Sequence, residues 1–502
     1  MDKKEKVILF GASKMGEAAY VLLKDNYDIV YFCDNDKNKW KKNFCGVEII
    51  SPESLKQDDL KNIEIIITSM YYKEIGKQLE SIGIQDFKVF NFNFKSKEEV
   101  KYCDEKYKEF KYIIDNSYSN NKKCIKNLHL MNDNFYNKRF IEFVNENFPK
   151  DEHKFIIIKS IDYELKYIDN VYKYCNVEVL YLEYFETKLY YYVKNSERVF
   201  IHYLYDYICE FICKYGIEKS IDLNWMVWGG DLYEYINFQL YDEKTKEIVK
   251  YKYDKNIFLK DYYEKDNGKY RIEAMKRINN IMTVCEEEYN ILKKNFEIKA
   301  KNQYFFYPNP IKYEDIKINL NRQYNLKSKF KYVILLGNSG DPSNNHLDIL
   351  HQLKKFNDEN FCIICPLSYG DENYISKIID IGTELFGSKF IPLTDFLNSH
   401  EYYYILEQVD IVIMNQRRQQ AVSSILALIY LGKKIYMKDF NPFGLFLNAI
   451  NIVTFSIDLF NQSSWEEIFN YSSSMSNINK VNLMDHFNEK NCLKRWKYIF
   501  EY

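Results

Sequence analysis

Short apolar runs recur along the chain, separated by stretches whose apolar positions fall three and four residues apart. The run Val7-Ile8-Leu9-Phe10 has no polar break, and neither do Tyr332–Leu336 and Ile411–Met414. Unbroken runs of this length are strands covered on both faces, and their alternation with helical periodicity spells layered α/β domains with parallel sheets. The first unit is expected to hold strands at 7–10, 29–33, 63–67 and 88–92, with a helix over Tyr72–Ser81. A stripe through Val100, Cys103, Tyr107, Phe110 and Ile114 predicts a connecting helix, and the polar stretch 116–123 a linker. The alternation restarts at Asn127, with strands expected at 128–131, 155–158, 177–182, 199–204, 225–228, 281–285 and 304–307. Pro308-Asn309-Pro310 then breaks the chain stiffly. A last unit opens with Tyr332–Leu336 and continues with strands at 361–365, Ile411–Met414 and Lys434–Met437. The expected organisation is therefore 1–94, a connector at 95–123, and two further α/β domains at 124–310 and 311–502.

Composition narrows the class. The 502 residues include only 16 Gly and 8 Pro, while 46% are hydrophobic and 47 are Tyr. Such a chain buries large cores and is neither disordered nor collagen-like. A net charge of −2, with both signs mixed along the chain, argues against a nucleic-acid binder. No apolar run reaches the length of a membrane span; the longest candidate, 421–432, contains two serines and stops at Lys433-Lys434. A secretion leader is not expected either, because Lys14 and Glu17 interrupt the first apolar stretch. Eleven scattered cysteines suit reduced thiols in a cytoplasm. Cys362 and Cys365 lie inside an apolar run with no second pair, so packing rather than metal binding is expected of them, and no metal site is expected elsewhere.

Four segments carry candidate chemistry. Gly11-Ala12-Ser13-Lys14-Met15-Gly16 follows the first strand and opens a helix, and Asp34 ends the next strand 18 residues past Gly16. Glycines for a tight turn, a helix N-terminus for a phosphate and an acid for a ribose hydroxyl make Gly11, Ser13, Gly16 and Asp34 an accessory nucleotide site. Ser13 stands where the fingerprint has its middle glycine, so an α/β unit without a ligand is the alternative. The segment resembles the small N-terminal nucleotide-sugar-binding domain of bacterial sugar O- and N-acetyltransferases. Asp34-Asn35-Asp36 also spells the Asp-x-Asp of metal-dependent sugar transferases, but its place after a second strand favours the ribose role.

The loop from Gly337 to His346 is the strongest physical signal. Gly337, Asn338, Ser339, Gly340, Ser343 and Asn344 can wrap backbone and side-chain donors around a diphosphate, and His346 can add a proton or a positive charge. No Gly-Lys-Ser/Thr follows, so the loop is not an ATPase P-loop. Arg417, Arg418, Gln419 and Gln420 follow another buried run, and Arg418 suits anionic oxygens. Asn441-Pro442-Phe443 is a turn that can contact a sugar or base. On the acceptor side, Trp228-Gly229-Gly230-Asp231 sets a carboxylate just past a strand, placed to act as a base or as an N-cap. His129, Asp133 and His202 lie at other strand ends, where a structural role competes with a catalytic one.

Together these strings resemble the signatures of one family. Trp228 to Glu234, Leu336 to His346, Arg418-Gln419-Gln420 and Asn441-Pro442-Phe443, in that order, resemble the bacterial TDP-N-acetylfucosamine:lipid II N-acetylfucosaminyltransferases, also called 4-alpha-L-fucosyltransferases. His129 with Asp133 resembles that family's opening strand. Departures are the extra N-terminal unit, Gly230 in place of an alanine, and Ala421 in place of a glycine. The resemblance implies a GT-B pair of Rossmann-like domains preceded by a small Rossmann-like unit. It implies transfer of a 4-acetamido-4,6-dideoxyhexose from a dTDP-sugar to a polyprenyl-diphosphate-linked glycan, peripherally on the inner face of the cytoplasmic membrane, without a required cofactor. The catalytic candidates are then Asp231, His129 and Asp133. The donor set is Gly337, Asn338, Ser339, Gly340, Ser343, Asn344, His346, Arg418, Gln419, Gln420 and Asn441. An NAD(P)-dependent nucleotide-sugar oxidoreductase and a non-enzymatic nucleotide-sugar binder are the alternatives.

Overall fold

The computed structural model describes residues 4–24, 27–57, 60, 63–69, 71–90, 125–160, 163–168, 173–182, 185–217, 220–249, 255–308 and 325–501. The expected connector helix and linker, and Asn309-Pro310, lie outside the described residues. The chain divides into two compact units. One is Met1–Ile201 with Tyr215–Asp222, and the other is His202–Lys214 with Leu223–Tyr502.

The first unit begins with a six-stranded sheet of β1 (Glu5–Phe10), β2 (Tyr27–Cys33), β3 (Asn43–Phe44), β4 (Val47–Ile50), β5 (Glu64–Ile67) and β6 (Lys88–Val89), ordered β3-β4-β2-β1-β5-β6. All its pairs are parallel except β3 with β4. The expected four strands are present, and the hairpin β3–β4 is additional. Ile8, Phe10, Cys33, Ile65, Ile67 and Leu79 form one buried cluster beneath the sheet, which is why the unbroken apolar runs read correctly. The same unit then holds the parallel strands β7 (Ile125–Met131), β8 (His153–Lys159), β9 (Val177–Tyr181) and most of β10 (Ser196–His202), in the order β10-β7-β8-β9.

The second unit holds most of β11 (Asp222–Met226), β12 (Asn280–Thr283) and β13 (Lys301–Tyr304), parallel in that order. Two expectations shift here. The strand expected at 225–228 stops at Met226, and the one expected at 304–307 ends at Tyr304. Trp228 and Tyr307 are apolar but belong to loops, where the Trp228 indole N–H donates to the Tyr307 hydroxyl at 3.2 Å.

A third sheet, also in the second unit, comprises β14 (Tyr332–Leu336), β15 (Phe361–Pro366), β16 (Phe390–Leu393), β17 (Ile411–Met414), β18 (Lys434–Met437) and β19 (Phe455–Ser456). Every pair is parallel and the order is β16-β15-β14-β17-β18-β19. Ile334, Leu336, Ile363, Ile411 and Ile413 share one core face of this sheet. Cys362 and Cys365 are buried in β15, and burial pushes the Cys362 thiol up to about 12. The chain winds outward in both directions from β14. The boundary between β14 and β17 is therefore a topological switch point, the place where open parallel sheets generally hold their ligands. The Gly337–His346 loop follows β14 and the Asn415–Ala421 loop follows β17.

The last helix, Glu489–Glu501, is fastened to the loop after β13 by the Trp496 indole, which donates to the Phe306 carbonyl at 3.0 Å. Among the described residues, no helix is long and apolar enough to cross a membrane.

Candidate active site

At the switch point, Gly337 has φ +69°, and a Cβ there would lie 2.5 Å from His346 Nε2. Only glycine lets the chain turn this tightly over the histidine. Asn344, fully buried, then knits the loop. Its amide nitrogen donates to the Ser339 and Asp341 carbonyls, and its Oδ1 accepts from the Asn338 backbone and from Gln416 Nε2. The Ser343 hydroxyl lies 2.5 Å from the Asp341 carboxylate and 2.8 Å from Gln420 Oε1. Gln420 Nε2 returns to Asn338 Oδ1 at 3.2 Å. Asn441 caps its own helix and donates to the Gln416 and Arg418 carbonyls at 2.8 and 2.9 Å. The structure thus brings the expected donor set together on the loops after β14 and β17 and the turn after β18. Ser339, Ser343 and Asn344 spend their polar atoms on shaping the loop. His346 differs from expectation: it is fully buried, and burial pushes its imidazole down to about 3. It is neutral and supplies no positive charge.

Arg418 is the loop's half-exposed cation. Among the described residues it forms no ion pair, and its guanidinium reaches the carbonyl of Gln419 at 3.2 Å. Arg417 is committed elsewhere. It and Lys438 both bind the Asp242 carboxylate at 2.9 Å, joined by Asn415 Nδ2 at 3.1 Å. The Asp242 backbone N–H in turn donates to Asn345 Oδ1 at 2.7 Å. Sequence reasoning missed Asp242, because no local motif marks a residue whose partners lie so far along the chain.

The turn after β11 faces this loop. Gly229 has φ +92°, and a Cβ on it would lie 3.4 Å from both Arg418 Nη1 and Gln419 Oε1; one on Gly230 would lie 2.9 Å from the Tyr203 hydroxyl. Tyr203 itself holds φ +84°, a strained conformation for an aromatic residue of the kind that collects at functional sites. For Asp231 the sequence leaves a base and an N-cap open, and the geometry is that of a sealed structural carboxylate, with Gly229 as the cap of the short helix Gly230–Tyr233. Asp231 is 1% exposed, one oxygen accepts from the Trp228 backbone at 2.9 Å, and the other accepts from Leu204 N and Trp225 Nε1 at 3.0 and 2.7 Å. Burial raises its carboxyl above the usual range while these donors oppose the rise. Asp231 is a pin that holds the turn. Behind it, buried Arg271 binds the carbonyls of Asp231 and Leu204, the Asp206 carboxylate and the Tyr262 hydroxyl, with its guanidinium 3.4 Å over the Tyr235 ring. His202 is likewise buried and lies 2.6 Å from the Tyr307 hydroxyl.

The other two catalytic candidates lie in the first unit and are also structural in geometry. His129 is fully buried between the Phe155 and Phe200 rings, at 4.6 and 5.0 Å, with Nε2 3.1 Å from His153 Nδ1. Asp133 accepts from the backbone of Lys166, Tyr167 and Ile168 and from the Tyr163 hydroxyl, which anchors that segment. Neither offers a free group to a substrate.

In the accessory unit, Gly11 and Gly16 pack strand against helix so closely that a Cβ on Gly16 would lie 1.9 Å from the Gly11 carbonyl oxygen. Ser13 is exposed at the helix N-terminus and makes no capping bond. Asp34, expected to meet a ribose, accepts from Ala12 N at 2.9 Å and Lys39 Nζ at 3.0 Å, and its other oxygen accepts from Asp36 N. Its carboxylate closes the turn. Among the described residues, no group of three or more His, Cys, Asp or Glu gathers as metal ligands.

Comparison with known structures agrees with the topology. Sucrose-phosphate synthase from Thermosynechococcus elongatus is 8% identical with TM-score 0.53, covering 75% of this chain and 98% of its own. Anabaena HepE in complex with UDP is 9% identical with TM-score 0.52, covering 75% and 99%. The fold is that of the GT-B glycosyltransferases. Residues 3–90 match a domain family described as C2185-like, N-terminal. Residues 133–501, nearly three quarters of the chain, match the family 4-alpha-L-fucosyltransferase glycosyl transferase group 56, and the chain belongs to that glycosyltransferase family.

Proposed function

We propose that this glycosyltransferase moves a 4-acetamido-4,6-dideoxyhexose, or a similar deoxysugar, from a dTDP-sugar to a polyprenyl-diphosphate-linked glycan. The observation that carries the reading is the pairing of two loops at the switch point of the third sheet with Arg418, a cation that forms no ion pair with a described carboxylate. A departing nucleoside diphosphate develops negative charge where these groups converge, and a preorganised cation there stabilises the transition state more than the bound substrate. The shaped loop positions the diphosphate. The Gly229–Gly230 turn packs against Arg418 and so borders the side from which an acceptor sugar would approach. No bound metal enters this scheme, because the arginine and the loop meet the leaving charge. The acceptor's lipid places the reaction at the inner face of the cytoplasmic membrane, reached from the membrane surface.

A thermal-shift panel of dTDP-, UDP- and GDP-sugars tests the reading, since a ligand that binds only the native state raises its stability. The expected result is the largest shift with dTDP-sugars. A larger shift with UDP- or GDP-sugars overturns the donor assignment.

A further inference from the structure

The turn after β11 carries two carboxylates, and the structure treats them in opposite ways. Asp231 is sealed by three N–H donors. Glu234 ends the short helix Gly230–Tyr233 as its cap, exposed, with its backbone N–H on the Gly230 carbonyl at 3.3 Å. It is one helical turn from Gly230 and so stands on the segment whose other end abuts Arg418 and Gln419. The carbonyl beside it, that of Tyr233, holds Lys255 Nζ at 2.8 Å. The charged groups acting on Glu234 are Lys255, Arg418 and Arg271, which favour its ionised form, and Asp231, which opposes it. Surrounding protein crowds the carboxyl and raises it above the ordinary range, which strengthens it as a proton acceptor. Glu288, another carboxylate acting near Tyr233, is 1% exposed and closed to a substrate.

On the reading of function above, we propose that Glu234 is the catalytic residue that takes the proton from the acceptor hydroxyl. As the hydroxyl oxygen forms its bond to the anomeric carbon, its proton passes to the Glu234 carboxylate. The bond from the anomeric carbon to the diphosphate oxygen breaks, and its electron pair leaves with the nucleoside diphosphate toward Arg418. Asp231 does not touch the reaction; it fixes the turn that presents Glu234.

The test compares Glu234→Gln with wild type, using a dTDP-linked 4-acetamido-4,6-dideoxyhexose and a short-chain prenyl-diphosphate disaccharide, and reading dTDP release. Loss of a positioned base is expected to lower kcat by about 10²–10⁴-fold. Calorimetric affinity for dTDP and the melting temperature stay at the wild-type values. A variant that turns over within about five-fold of wild type overturns the role. So does a variant whose lost turnover is matched by lost dTDP binding, since Glu234 then serves the donor. A wild type that turns over no nucleotide sugar with this acceptor overturns the reading of function itself, and the role falls with it.

Discussion

The side-chain amide of Gln416 donates to Asn344 Oδ1 at 2.7 Å, which ties the loop after β17 to the loop after β14 across the switch point. Both residues are buried, so neither amide has water as a substitute partner. Replacing either by alanine leaves buried donors or acceptors unmet and is expected to cost about 1–3 kcal/mol of stability. The two act in one network, so Asn344→Ala with Gln416→Ala together should cost less than the sum of the single changes. Chemical denaturation of the three variants measures this, and strict additivity would show that the two loops are held independently.

Asp231→Asn is expected to act on stability before it acts on chemistry. The asparagine amide nitrogen would face N–H groups of Leu204, Trp225 or Trp228 that now meet a carboxylate. A donor opposite a donor leaves both unsatisfied, which costs about 1–3 kcal/mol for each group. The melting temperature should fall by several degrees. An unchanged melting temperature with collapsed turnover would restore Asp231 as the base and displace Glu234.

Some of this was legible in the sequence. The strands Tyr332–Leu336, Ile411–Met414 and Lys434–Met437 appear where the apolar runs place them, because both faces of the third sheet are covered; the buried Lys434 fits because its Nζ donates to the Glu467 and Ile468 carbonyls. Trp228 misled, because its half-buried ring sits in a loop contact with Tyr307 rather than on a strand. The grouping of Asn338, Asn344, Gln420 and Asn441 on adjoining loops was readable from strand-end positions. What each side chain does there was not. A carboxylate just past a strand looks the same in sequence whether it is sealed, as Asp231 is, or exposed, as Glu234 is. The difference is made by Leu204 and Arg271, whose partners in the turn lie many residues away.

The buried neutral imidazole of His346 predicts a pH dependence. Its folded value, about 3, lies below the ordinary 6.5 of an unfolded histidine. The stability that goes with the neutral form is therefore complete above pH 6.5 and is lost as pH falls toward 3, because the unfolded chain takes up a proton that the folded one refuses. Between pH 6.5 and 5 the loss from this one group should be about 2 kcal/mol. His153 and His202, also held low by burial, titrate in the same direction in wild type and variant alike. His346→Gln should thus lower stability at pH 7 and flatten the slope below 6.5. Denaturation midpoints at pH 7 and pH 5 decide this; parallel slopes would mean that His346 is not a buried neutral group.

Ala421 stores strain at the entrance to the helix Val422–Tyr430. It sits at φ 59° and ψ 28°, the left-handed conformation, as that helix's N-cap, and makes no side-chain capping bond. An L-residue with a Cβ disfavours this region by about 1–2 kcal/mol relative to glycine. Glycine gives back part of that through the greater freedom of its unfolded chain, about 0.4–1 kcal/mol. Ala421→Gly should therefore raise stability by about 0.5–1 kcal/mol, and Ala421→Val should lower it, because a β-branched side chain is a steric outlier at positive φ. Neither change alters the hydrogen bonds that Asn441 makes to Gln416 and Arg418 just before it. Calorimetric dTDP binding to Ala421→Gly should accordingly match wild type, while its unfolding midpoint moves up. A glycine variant less stable than wild type would show that the turn before this helix is not strained, and that the alanine methyl contributes packing that outweighs its conformational cost.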